Sequence, residues 1–109
     1  MSGFVQVLIT VPKKEDARRI VSTLLDRRLA GCVQVIGPIE SAYWWEGKIE
    51  EAVEWICLIK SRADLFLELE KAVKGIHPYT VPEILATPIV GGNAGYLDWL
   101  GRELRPMST

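Results

Sequence analysis

The chain has 109 residues, about half of them apolar and a quarter charged, which is the size and balance of a single globular domain spanning residues 1–109. Thirteen basic against fourteen acidic residues leave a net charge of −1, which excludes the basic footprint of a nucleic-acid-binding surface. Met1-Ser2-Gly3-Phe4 carries no basic leader region, no apolar run is long enough to cross a bilayer, and Cys32 and Cys57 sit in apolar contexts that suit reduced core thiols, so a cytoplasmic protein with no membrane partner is expected.

Phe4 to Val11 is rich in β-branched residues and predicts a strand that Pro12 ends. From Lys13 to Ala30, Ala17, Ile20, Val21, Leu24, Leu25 and Leu29 recur at spacings of three and four, one stripe of an amphipathic helix, with Gly31 as its C′ residue. Cys32 to Trp45 predicts a second strand. Its Gly37-Pro38 interruption implies a bend or bulge near a sheet edge. Glu46-Gly47 predicts a two-residue hairpin turn, and Lys48 to Lys60 returns, with Trp55 to Ile59 apolar on both faces and hence in the sheet interior.

Ser61 to Asp64 has the spacing of a capping box, so Ser61 is expected to cap a helix that buries Leu65, Leu69, Ala72 and Val73 and closes at Gly75. Glu83 to Val90 predicts a fourth strand, placed at an edge by Pro88. Asn93 is expected to cap a short last helix with Tyr96, Leu97, Leu100 and Leu104 on its inner face, and Pro106 to Thr109 are expected to fray. The order β-α-β-β-α-β plus a terminal helix predicts an α+β, ferredoxin-like sandwich. Right-handed crossovers put both main helices on one face of an antiparallel sheet.

The two middle strands, about 13 residues each, extend roughly 43 Å at about 3.3 Å per residue. A compact domain of about 100 residues is only about 34 Å across, from a radius of gyration near 13 Å. The tip of this long central hairpin should therefore project beyond its own core, carrying Tyr43, Trp44 and Trp45. Three large rings on a solvated tip argue for burial against other copies of the chain, hence a homo-oligomer. The competing arrangement folds the last helix back over them.

The segment Ile76-His77-Pro78-Tyr79-Thr80-Val81-Pro82-Glu83-Ile84 holds the only histidine. Each proline fixes its own φ and keeps the residue before it out of the helix region, so a stiff connection presents His77, Tyr79 and Glu83 in a set order.

Several stretches together resemble one known family: Ala30-Gly31-Cys32-Val33, Pro38 with Ser41, Tyr43 to Lys48, Lys60, the run His77 to Ile84, and Tyr96-Leu97-Asp98-Trp99. From about residue 4 to 104 the chain is similar to the CutA family of divalent-cation tolerance proteins. The resemblance implies a homotrimer of ferredoxin-like subunits packed through their long hairpins. It also implies tolerance to, or binding of, divalent metal ions, chiefly copper. Carried over residue by residue, it makes Cys32, His77 and Glu83 the metal-ligand candidates. Further cysteines of some relatives fall at Thr10 and Ala72, so part of a Cu(I)-type thiol set is missing here; Cys57 is an extra thiol on a strand expected to be buried.

Imidazole suits Cu(II), Zn and Ni, while thiolate favours Cu(I) and Zn. One His and one Glu do not close a site alone, so a weakly bound Cu(II) or other divalent ion, shared between subunits or held in an open site, is expected, with no organic cofactor. Beside this stands an architectural reading: His77 fixes the loop by donating a ring N–H to a backbone carbonyl, Glu83 forms an ion pair, and Cys32 packs. In the alternative function, Lys60, His77, Tyr79 and Glu83 form a polar pocket at a subunit boundary of a small-ligand or protein-interaction module. Nitrogen-regulatory PII trimers resemble that architecture. An RNA-recognition surface is excluded because Trp55 stands beside Glu54 rather than in a basic aromatic motif. No nucleophile is paired with the lone histidine, so a binding protein is expected rather than an enzyme.

Overall fold

The computed structural model describes residues 2–106. The expected fraying of Pro106 to Thr109 lies, for 107–109, outside them. Strand β1 (Phe4–Val11) leads to helix α1 (Lys14–Asp26), then strands β2 (Cys32–Trp45) and β3 (Lys48–Arg62). A 3₁₀ turn (Ala63–Leu65) opens into helix α2 (Phe66–Lys74), followed by strand β4 (Ile84–Pro88) and helix α3 (Ala94–Glu103). The sheet order is β2-β3-β1-β4 with every pairing antiparallel, the ferredoxin-like arrangement expected.

Period-two alternation decides the faces. Val5, Val7, Ile9 and Val11 of β1 oppose Ser61, Ile59, Cys57 and Trp55 of β3, and this face packs against Ala17, Ile20 and Leu24 of α1 and Leu69 and Val73 of α2. Cys57 is sealed in this core, and burial pushes its thiol up to about 11, so it stays a neutral packing group. The opposite face presents Leu8, Leu58, Ile36 and Leu85, with Thr10 and Glu54 at one end; the last two are covered by the 76–83 loop.

Two helix boundaries differ from expectation. α1 stops at Asp26, not Ala30, and Arg28, not Gly31, adopts the left-handed conformation (φ 52°). Leu29 and Ala30 continue the apolar pattern because they are buried in the core after the helix has ended. Gly31 is needed for space instead: a Cβ there would lie 2.5 Å from Leu100 Cδ1. Ser61 is not a helix cap. It is a buried residue of β3 whose hydroxyl donates to Leu29 O at 2.6 Å, while Asp64 pairs with Arg62. Asn93 does cap α3, accepting from Tyr96 N at 3.0 Å.

The hairpin turns at Glu46 (φ 49°) and Gly47 (φ 80°), the two positive φ values a type I′ turn requires. Its register shifts between Ile36 and Ile39, where the interruption at Gly37-Pro38 predicts a bulge. The domain measures 44 × 26 × 22 Å, the long axis exceeding that of a compact chain of this length because the hairpin projects. α3 does not fold back over the tip; it packs at the other end, against Phe4, Gly31 and Arg28. Alternation divides the tip rings: Tyr43 and Trp45 share a face with Ser41 and Glu54, while Trp44 stands opposite, 73 % exposed, beside exposed Ile49 and Val53.

Candidate functional site

His77 extends the last turn of α2, its backbone N–H donating to Val73 O at 2.8 Å, before Pro78 ends helical geometry. Its ring lies against the end of β1. Nε2 is 2.8 Å from Thr10 O, and Nδ1 is 3.0 Å from Tyr79 N. A carbonyl only accepts and a backbone N–H only donates, so the ring is the neutral tautomer with its proton on Nε2. Both nitrogens are thereby engaged, and the ring latches the loop to the sheet. Freeing either one strands a backbone group, at a cost of about 1–3 kcal/mol if that group stays buried.

Tyr79 follows two residues later, its ring 5.2 Å from that of His77, and its hydroxyl donates to Glu54 Oε2 at 3.0 Å. Glu54 lies on β3 and is only 5 % exposed. Burial first, then the hydrogen bond to Glu54 and the negative charges around it, push the Tyr79 hydroxyl up to about 12. Because this pKa is raised above the ordinary value near 10, the stabilisation is complete below about pH 10 and is lost as pH rises toward about 12. An alkaline titration followed by tyrosinate absorbance should show one of the three tyrosines ionising near 12, absent in Tyr79→Phe. The stability gap between wild type and Tyr79→Phe should be constant below pH 10 and close above it.

Glu83 opens the approach to β4. It is exposed, and its Oε1 accepts a long 3.3 Å hydrogen bond from the Thr10 hydroxyl. The ion pairs among the described residues are Arg19–Asp16, Arg28–Glu103, Arg62–Asp64 and Arg105–Glu68, so the ion pair considered for Glu83 is not formed within the chain.

The structure thus joins His77 and Glu83 through the two ends of one residue, Thr10. Cys32 is elsewhere. It opposes Lys60, whereas Thr10 opposes Ile56, four residues away on the shared strand β3. That separates Cys32 from Thr10 by roughly 13 Å along the strands and two strand spacings, roughly 9.5 Å, across them. Cys32 lies instead beside Tyr96 of α3, whose hydroxyl is shifted upward by burial and then by the neighbouring thiol. Lys60 is equally remote, its Nζ donating to Gln34 Oε1 at 3.0 Å. Among the described residues no three His, Cys, Asp or Glu side chains gather closely enough to hold a metal ion, so one chain does not close the site.

Between the hairpin and the loop is a cleft of about 650 Å³. Its walls are Tyr43 and Trp45 from β2, Glu54 from β3, Tyr79, Val81 and Glu83 from the loop, with Thr10 at its base. Sequence reasoning missed Glu54. The available signal was an acid on the same strand face as Ile56, in a run otherwise suited to the sheet interior.

An antiparallel sheet with helices on one face, a projecting hairpin and an acid-lined cleft beside it define a ferredoxin-like domain. The family described as CutA1 divalent ion tolerance protein matches residues 5–103, and the chain belongs to that family. The Divalent-cation tolerance protein CutA of Thermus thermophilus is 49 % identical over 94 residues, 86 % of this chain and 91 % of that protein. Protein CutA 1, chloroplastic, of Oryza sativa is 44 % identical over 99 residues, 91 % of this chain but 56 % of the longer rice protein. Among solved structures, the Thermus thermophilus divalent cation tolerance protein (Cut A1) superposes with a TM-score of 0.92 at 45 % identity, covering 94 % of this chain and 99 % of that one. Among the described residues no helix is long and apolar enough to cross a membrane.

Proposed function

We propose that this chain serves divalent-cation tolerance as a cytoplasmic homotrimer that binds, rather than chemically transforms, a divalent ion such as Cu(II), weakly and in an open site. Glu83 is its principal ligand, with His77 of the same loop and Cys32 of a neighbouring subunit as further donors. The observation that carries this reading is the state of Glu83: an exposed carboxylate on the cleft, holding one long hydrogen bond and no cationic side chain. Thr10 stands where some relatives carry a thiol, so the donors nearest Glu83 are oxygens, and these suit harder cations than Cu(I).

The test is a calorimetric titration of Cu(II) into chelator-stripped protein, with wild type, His77→Ala and Glu83→Gln compared at matched oligomeric state. Saturable binding lost in both variants is the expected result. Binding lost only in Glu83→Gln moves His77 into the architecture, and equal binding in all three removes the metal role from this loop.

A second reading is favoured by the two occupied nitrogens of His77. In it the histidine only holds the loop, and the cleft takes a small ligand, as in the PII-like signalling modules the architecture resembles.

A further inference from the structure

We propose that the cleft between the hairpin and the 76–83 loop binds a small primary aliphatic amine in its ammonium form. This rests on the second reading above, that the cleft takes a small ligand, and names its class.

Glu54 sets the charge. The residue is 5 % exposed, one carboxylate oxygen accepts from Tyr79, and the other, with no side-chain hydrogen bond among the described residues, is not sealed from solvent. Among the described residues no lysine or arginine lines the cleft, and none forms an ion pair with Glu54 or Glu83. A carboxylate oxygen that opens on the cleft and meets no lysine or arginine there is best met by a positive charge. An ammonium group supplies that charge together with three N–H donors.

The walls then select an organic cation over a bare ion. Tyr43, Trp45 and Tyr79 present aromatic rings, whose faces attract a cation, and Pro78 and Val81 offer apolar surface for an alkyl chain. A bare divalent ion gains no ligand from the rings, the proline or the valine, whereas an alkylammonium gains contact with all of them. An anion meets two carboxylates and no counter-charge. The volume, about 650 Å³, lies within the range of small-molecule sites.

Calorimetric titration of the full chain at neutral pH with butylammonium, 1-butanol and butyrate, three probes of similar size and different charge, tests the assignment. Saturable binding of butylammonium alone is expected, weakened ~10-fold or more in Glu54→Gln and in Trp45→Ala. If butanol or butyrate binds and butylammonium does not, the cleft takes a ligand but the amine assignment is overturned. If none binds, the small-ligand reading falls with it. Butylammonium binding that survives undiminished in Glu54→Gln also overturns the assignment. The comparison of the three probes on wild type decides the matter even if a variant misfolds or changes its oligomeric state.

Discussion

Ile59→Ala should lower the unfolding free energy by about 3–4 kcal/mol, within the usual range for truncating a buried aliphatic side chain. Ile59 lies on β3, flanked by Val7 of β1 and Val33 of β2, with none of its surface exposed. β3 is itself paired on both sides and covered by the helices, so its surroundings cannot collapse into the space left behind, and the cavity cost adds to the lost burial. Leu67→Ala is the internal control: Leu67 on α2 is 76 % exposed, so its loss should change stability by no more than about 0.5 kcal/mol. Urea titrations at one fixed chain concentration check both, because association would make apparent stability concentration-dependent. Equal effects at the two positions would mean that β3 is not the centre of the core.

The strands were legible because alternation and β-branching are local signals that the tertiary structure reinforces. β1 and β2 begin and end where the residues predict, and the Glu46-Gly47 turn has the geometry its sequence asks for. The ends of helices were less legible. Leu29 and Ser61 each look like part of a helix signal, yet each is fixed by a partner distant in sequence: the buried core for Leu29, and Leu29's own carbonyl for the hydroxyl of Ser61. The site divides in the same way. The rigidity of the 76–83 segment is written in its prolines, and the hydrogen bond from His77 to a backbone carbonyl is the architectural role that its sequence context allowed. Glu54 was hidden because an acid in a strand reads as a solvent-facing residue until a loop from elsewhere in the chain folds over it. The tip rings needed only stricter use of period two. Tyr43 and Trp45 belong to the cleft side, and Trp44 belongs to the other.

That division sharpens the expected result at the hairpin. Trp44 and Ile49 are cross-strand partners on the face away from the cleft, 73 % and 62 % exposed, with exposed Val53 beside them. An isolated chain gains little by showing this apolar strip to water, whereas burying it against another copy removes several large side chains from solvent at once. The double variant Trp44→Glu with Ile49→Lys keeps a favourable cross-strand pair, so the hairpin itself should persist. The pair should abolish association, because assembly would strip water from both charges and their mutual attraction does not repay that desolvation. Light scattering should then fall from three times the chain mass of 12.2 kDa to that mass alone, with the far-ultraviolet circular dichroism retained. The strip faces away from the cleft, so butylammonium binding by the dissociated variant would place that ligand site within one subunit. Its loss on dissociation would mean that a neighbouring chain completes the cleft. A double variant that stays trimeric would remove the hairpin from the interface, and a wild type that is already monomeric would remove the interface altogether.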